Sequence, residues 1–342
     1  MCSGYAHRVT RTPVSEPIAA DLATQVARLF YDRQLSKVEI ADRLGISRFR
    51  VARLIDAALT GGLVRIEYRD APDTDRQLAR EMEERFGLHL CVVAGGHTDE
   101  AESGEGDALR DVARLAGAVI GQLIGPGDVV GIAWGSTLAA TVREVASRGD
   151  PSITVVQLAG SSSQHGPGMD AGDLARQLAE RLGARSRPLF APTLVESSGL
   201  RDALIRQPDI AATIAEFGRL SLAVVGIGAM PSTAGGRSSS SLLRSGVLDA
   251  DEIAALRARG AIGDLVVHPF DREGTFVAPE MAARAIAVEV TDLRRVRRVI
   301  AVASGAAKAE SIRGALATGV VQVLITDRAA ANGVLRAEGG SR

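Results

Sequence analysis

The sequence has 342 residues, 46% of them hydrophobic but only 3% aromatic, with 37 glycines and a formal net charge of −1. That is more chain than one small domain needs and suits two; small aliphatic side chains with abundant glycine suit the tight turns of an α/β protein. Several classes are excluded: no apolar run reaches a membrane span, residues 1–20 lack the apolar stretch of a secretory signal, and Cys2 and Cys91 make no disulfide framework. His7, His89, His97, His165 and His268 show no metal-ligand spacing. The cytoplasm is the expected compartment, and no metal or cofactor is expected.

In chain order, residues 1–17 hold Pro13 and Pro17 among polar neighbours and read as a flexible tail. Residues 18–34 read as a helix with Leu22, Val26, Leu29 and Phe30 on one face. Residues 35–56, LSKVEIADRLGISRFRVARLID, describe two short helices around a tight turn. Ser36 and Glu39 have capping-box spacing, Val38, Ile40, Ala41 and Leu44 supply an apolar face, Gly45 takes the turn, and Ser47 caps the second helix. Val51, Leu54 and Ile55 face inward at helical spacing. Arg48, Phe49, Arg50 and Arg53 are left outward, at the start of the helix that a helix-turn-helix inserts into the major groove. Many two-helix hairpins bind nothing, and arginine on a helix is usually solvated. Here the caps, the turn, the arginines and the following GGLVRIEYRD point together to DNA. Gly61 and Gly62 end the helix, and Leu63–Tyr68 alternates as a short strand, as in a winged variant, with Arg65 and Arg69 placed for phosphates.

Asp70–Asp75 is the expected domain boundary, and a charged helix runs from Arg76 to about Phe86. Beyond it, apolar strand-like runs occur at Leu90–Ala94, Val129–Ala133, Ile153–Leu158, Leu220–Ile227, Leu265–His268, Ile286–Val290, Arg298–Ala303 and Val320–Thr326. Helical patterns lie between many of them, at Ala108–Ile124, Thr137–Ser147, Ala171–Leu182 and Ala306–Thr318. Such alternation indicates a mostly parallel sheet covered on both faces. Pro231–Ser245 reads as a mobile loop. Charge supports the division mildly: residues 1–70 carry 11 Lys+Arg against 8 Asp+Glu, and the remainder 29 against 33.

In an open α/β sheet, ligands bind beyond the carboxyl ends of strands. Trp134-Gly135-Ser136-Thr137 follows one strand and opens a helix, a geometry suited to anions. Ser304-Gly305-Ala306-Ala307-Lys308 follows another. Lys308, one of two lysines in the chain with Lys37, falls in a first helical turn, where a cation opposes the helix dipole unless an anion is bound. The alternative is a pair of plain strand–helix turns with serine caps and a solvated lysine. Asp264 could accept from sugar hydroxyls or be a surface turn residue. Gly226-Ile227-Gly228 is not a dinucleotide fingerprint, because Pro231 holds the third glycine position. No Walker A sequence and no Ser-His-Asp arrangement occur.

These residues resemble the SorC-type sugar-binding transcriptional regulators, sometimes grouped under the DeoR name, over roughly residues 20–338. The segments are EIADRLGISRFRVARLI with GGLVRI in the head, and GDVVGIAWGSTL, VGIGAM, GDLVVHPFDREG, VIAVASGAAKAESIRGAL and VLITDRAAA in the body. The resemblance implies a sugar-phosphate isomerase-like sensing domain that binds a phosphorylated sugar and assembles as a homodimer or homotetramer. By that likeness Gly135, Ser136 and Thr137 hold the phosphate beside Lys308, Asp264 meets sugar hydroxyls, Gly228 lines the pocket, and Gln157 is a further candidate. One departure is Val267-His268-Pro269-Phe270-Asp271, where the family often has Gly-Arg-Phe-Phe-Asp; it bears on the sugar-end contacts.

The fold expected is therefore α/β: a winged helix-turn-helix DNA-binding domain at 18–70 and a Rossmann-like effector domain at 71–342. Ser36, Ser47, Arg48, Phe49, Arg50 and Arg53 are its candidate DNA residues. The expected function is control of a carbohydrate operon through operator DNA and a phosphosugar, with no catalysis and no membrane partner. The rivals are a sugar-phosphate isomerase or deaminase with an added head, and a module whose hairpin serves only assembly.

Overall fold

The structure is a computed structural model that describes residues 16–64, 74–95, 105–162, 170–230 and 238–336. The chain divides into two compact units, Met1–Arg69 and Asp70–Arg342.

The first unit contains α1 (Glu16–Tyr31), α2 (Lys37–Leu44) and α3 (Arg48–Thr60). Local chemistry sets each boundary. Ser36 Oγ accepts from the Glu39 amide at 3.2 Å while Glu39 Oε2 accepts from the Ser36 amide at 2.8 Å, a complete capping box. Gly45 ends α2 at φ 64°, and Ser47 Oγ accepts from the Arg50 amide at 3.3 Å to start α3. Val26, Ile40, Ala41, Val51 and Ile55 form the core, with Leu22, Leu29, Phe30 and Leu54 against it. Val38 departs from expectation. It is 54% exposed, because Ile40 and Ala41 occupy the inward side of α2. Gly61 and Gly62 close α3 as expected. Of the strand read at Leu63–Tyr68, Leu63 and Val64 form a bend, with the Val64 amide on Ala58 O at 3.0 Å; the rest, with Arg65 and Arg69, lies outside the described residues, as do 1–15 of the tail and most of the boundary segment.

The second unit begins with α4 (Arg76–Phe86), β1 (Leu90–Ala94), α5 (Glu105–Leu123), β2 (Val129–Ile132), α6 (Ser136–Glu144), β3 (Thr154–Gln157), α7 (Ala171–Leu182) and β4 (Arg185–Arg187). It continues through α8 (Ser198–Leu204), α9 (Pro208–Ala215), β5 (Leu222–Ala229), α10 (Ser241–Arg244), α11 (Ala250–Ala258), β6 (Gly263–Leu265) and β7 (His268–Phe270). It ends with α12 (Pro279–Ala282), α13 (Val290–Leu293), β8 (Arg298–Val302), α14 (Ala309–Ala317), β9 (Val323–Asp327) and α15 (Arg328–Arg336).

The main sheet has the order β1-β9-β8-β5-β2-β3-β4 and is parallel throughout. Every residue of β2, β3 and β9 is buried. Since successive side chains of a strand point to opposite faces, both faces of these strands are covered. From β2 the chain winds outward through β3 to β4; from β5 it winds the other way through β8 to β9. The direction reverses between β2 and β5, so the crevice of a doubly wound sheet opens at their carboxyl ends.

Three expectations are corrected, and one strand, β4, was not anticipated. Leu265–His268 is not one strand but the turn of a hairpin: β6 pairs antiparallel with β5 and with β7, and Val266 makes the turn at φ 60°. A β-branched residue in that region is strained by about 1–2 kcal/mol. Ile286–Val290 is a crossing segment, with the Val288 amide on Leu158 O and the Ile286 amide on Thr193 O, that leads into α13. Edge strand β4, Arg-Ser-Arg and exposed, carries no apolar signal. The described part of Pro231–Ser245 is not a loop throughout, because Ser240 caps α10 and Leu242 is buried; residues 231–237 lie outside the described residues.

Candidate functional site

A cleft opens at the reversal point. It is lined by Ala133–Leu138 after β2, Gly226–Gly228 in β5, Ser239 and Ser241, Asp264 and Val266 of the hairpin, and Lys308. Its first wall is a helix N-terminus. Gly135 turns the chain at φ 126° and α6 starts at Ser136 without any side-chain cap. The Ala139 amide makes the first helical bond, to Gly135 O at 2.9 Å. The amides of Ser136, Thr137 and Leu138 precede it and have no intrahelical acceptor, and the helix dipole adds partial positive charge there. Ser136 is exposed, whereas Thr137 is buried.

The opposite wall carries charge of both signs. Asp264 is 3% exposed, and its Oδ1 accepts from Ser240 Oγ at 2.5 Å. Burial raises its carboxyl to about 6; the Ser240 hydrogen bond and the Lys308 and Arg244 charges pull the other way. Lys308 reaches across to Ile227 O, 2.8 Å from Nζ. Burial lowers its ammonium to about 8, opposed by Asp264. The exposed Arg244 guanidinium stands 3.4 Å from Ser241 Oγ.

Gly135, Ser136, Thr137, Gly228, Asp264 and Lys308 are thus brought into one cleft. Gln157 is not among them. It is buried at the end of β3, where Oε1 accepts from the Leu189 amide at 2.8 Å and Nε2 donates to Ala159 O at 2.7 Å and to Ser161 Oγ at 3.1 Å. Those bonds tie β3 to the segments beside it. Nor does Lys308 stand in the first turn of an α-helix as expected. A 3₁₀ turn, Ala306–Lys308, precedes α14, and the ammonium leaves the helix to bind the β5 carbonyl. The Gly305 amide is already taken, by Asp327 Oδ2 at 2.5 Å. Of the two glycine turns, the one before α6 lines the cleft.

The departure at the hairpin lies elsewhere. His268 and Pro269 line a second, mostly apolar groove with Phe276 and Ala287. His268 Nε2 bonds Val288 O at 2.8 Å, and burial holds the imidazole below its usual pKa. Ser239, Ser241, Val266 and Arg244 escaped sequence reasoning. The serines sit in a polar run that resembles a loop, and Val266 is an ordinary valine until its backbone is seen.

In the first unit Ser36 and Ser47 spend their hydroxyls on helix caps. Arg48, Phe49, Arg50 and Arg53 are all exposed, Phe49 at 68%. The Arg48 guanidinium lies 5.0 Å from the Phe49 ring centroid.

Comparison with known proteins follows the same division. The Sugar-bind family model, which describes a sugar-binding domain, matches residues 71–336. The chain is 28% identical over 307 residues to the deoxyribonucleoside regulator of Bacillus subtilis (strain 168), covering 90% of this chain and 95% of that one. It is 26% identical over 319 residues to the sorbitol operon regulator of Klebsiella pneumoniae, covering 92% and 98%. The crystal structure of the full-length sorbitol operon regulator SorC from Klebsiella pneumoniae superposes with a TM-score of 0.69 at 25% identity, covering 92% of this chain and 99% of that one.

Proposed function

The chain belongs to the Sugar-bind family, and from that premise we propose that it is a DNA-binding transcriptional regulator of a carbohydrate operon, switched by a phosphorylated sugar in the β2–β5 cleft. The observation that carries the ligand class is the convergence of uncapped α6 amides, an ammonium and a buried carboxylate in one cleft. A phosphate is dianionic near neutral pH and suits the amides of Ser136 and Thr137, their hydroxyls and Lys308. Asp264 faces the same space and accepts hydrogen bonds from a polyol, as carboxylates do. Gly228 leaves room for the Asp264 carboxylate, and Gly135 turns the chain into α6. Gln157 has no part in it.

The helix-turn-helix unit holds operator DNA through α3. Ligand and DNA are linked through the chain's preferred arrangement, with a coupling of about 1–3 kcal/mol. The regulator acts in the cytoplasm as a homodimer or homotetramer, reading half-sites about 34 Å apart or a multiple of this. It senses its ligand without converting it.

A second reading has one observation in its favour. Asp264 and Lys308, with carboxyl and ammonium moved to about 6 and about 8, form an acid–base pair of the kind an isomerase uses. Both are engaged by the protein, however, Asp264 by Ser240 and Lys308 by Ile227 O.

The deciding experiment is a thermal-shift screen of phosphorylated sugars, their unphosphorylated counterparts and inorganic phosphate, followed by footprinting with and without each hit. A ligand at a hundred times its Kd should stabilise by about 2.7 kcal/mol. The hit should alter the footprint and be recovered unchanged. Turnover would favour the isomerase reading, and no protected DNA under any condition would end the regulator reading.

A further inference from the structure

The DNA-facing side of α3 is not a uniform basic patch. Val51, Ile55 and Ala58 are its buried row. At about 100° per residue, Phe49 and Arg53 lie some 160° from Val51 on either side of the far pole, four residues apart on one outward face. Arg48 and Arg50 stand about one residue step to either side of the Phe49 direction. The helix thus presents an aromatic ring and one guanidinium along its outer ridge, with a guanidinium on each flank at its first turn.

The ring's exposure calls for a partner of defined chemistry. Phe49 is 68% exposed although the first turn is fixed by the Ser47 cap. The neighbouring Arg48 guanidinium, 5.0 Å from its centroid, positions the ring without burying it. Charge complementarity points to a polyanion: Lys37, Arg43, Arg48, Arg50 and Arg53 are exposed on α2 and α3 against Glu39, Asp42 and Asp56, and the first turn of α3 carries cations alone. The edges that bases show in the major groove are polar, with one exception, the C5-methyl of thymine. Only that methyl gives an aromatic ring an apolar surface to meet.

We infer that Phe49 reads a thymine methyl in each half-site and Arg53 a neighbouring base, while Arg48 and Arg50 grip the phosphates flanking the groove. This rests on the DNA-binding reading above and adds how its sequence preference arises. Arg53 follows Phe49 by about 6 Å along the helix axis, within reach of a base one or two steps from that thymine. Phe49 contacts the base and the flanking arginines hold the register; discrimination and grip therefore belong to different side chains.

The test uses the full-length protein. Binding sequences are selected from randomised duplexes, and affinities are then measured with each thymine replaced in turn by uracil, which removes only the methyl. For the wild type, one uracil position per half-site should weaken binding by about fourfold, the worth of one buried carbon. In Phe49→Ala the same replacement should have no effect. Arg48→Ala and Arg50→Ala should each lower the salt slope by about one per half-site while keeping the selected sequence, whereas Arg53→Ala should relax the sequence. Because Phe49 is exposed, thermal unfolding of Phe49→Ala should match the wild type, and Phe49→Leu should retain part of the uracil effect. Selected duplexes that tolerate uracil everywhere would overturn the thymine contact and leave DNA binding standing. Failure to enrich any salt-sensitive sequence would overturn both. A Phe49→Ala protein that discriminates as before but changes oligomeric state would assign the ring to a second copy of the chain instead.

Discussion

Asp264 and Gly228 face each other across the β5–β6 register, and the carboxylate fills the place where a side chain on Gly228 would stand. A Cβ there would lie 2.6 Å from Asp264 Cγ and closer still to Oδ1. The glycine is therefore a condition for the acid's position rather than a passive lining residue. Gly228→Ala should push the carboxylate off the Ser240 hydroxyl, cost about 1–3 kcal/mol as other overpacked sites do, and abolish ligand binding. Calorimetric titration beside thermal unfolding measures both, and a Gly228→Ala protein with wild-type affinity would contradict the arrangement.

The same acid sets a pH dependence. Its folded pKa, about 6, lies above the ordinary 3.8. The folded state then binds more protons than the unfolded state between those values, so stability falls as pH rises from about 4 to about 6. Denaturant titrations across that window should show the decline in the wild type and a flatter profile in Asp264→Asn.

Ligand binding should have its own window. Asp264 accepts from sugar hydroxyls most strongly when ionised, above about 6, and Lys308 must be protonated to hold a phosphate, which holds below about 8. Affinity for the phosphosugar should therefore be highest between those values and decline on both sides. Isothermal titration from pH 5 to pH 9 tests this; a flat profile would remove both groups from the ligand.

Replacing Lys308 with methionine keeps most of the chain length and deletes the charge. Affinity for the phosphosugar should fall by about 1.5–3 kcal/mol, the range of a hydrogen bond to a charged group. The fall should be much smaller for the unphosphorylated sugar. Equal losses for the two would place Lys308 at the sugar end.

Gln157 supplies the contrasting case. Gln157→Leu strands the Leu189 amide and loses the bonds to Ala159 O and Ser161 Oγ. It should lower stability by about 1–3 kcal/mol and leave the ligand Kd unchanged at temperatures where the protein is folded. A variant of normal stability and weakened affinity would return Gln157 to the binding site.

The head was legible because its signals are local. Ser36 with Glu39, Gly45 and Ser47 act within three or four residues of themselves, so their meaning does not depend on the rest of the fold. The apolar runs that became β1, β2, β5, β8 and β9 were legible for a related reason, since strands buried on both faces need such runs. Where the pattern was absent or ambiguous, it hid an element or suggested the wrong one. Arg185–Arg187 is polar at the sheet edge, Ile286–Val290 is apolar without being a strand, and Ser238–Ser245 mixes a turn with a short helix.

Sequence alone determined the elements of this protein and the residue types its cleft would need: a glycine–hydroxyl turn into a helix, an isolated lysine and a Gly-Asp pair. Tertiary structure alone decided that they meet. Gly135, Gly228, Asp264 and Lys308 are distant in the chain, and they converge because β2 and β5 are neighbours where the winding reverses and a hairpin folds back on β5. It also set Gln157 in bonds to Leu189, Ala159 and Ser161 beside β3, and His268 in another groove. The physical reason is range: caps and hydrophobic periods are satisfied within a turn or two, whereas strand order follows from pairings between distant segments that leave no mark on any short stretch of sequence.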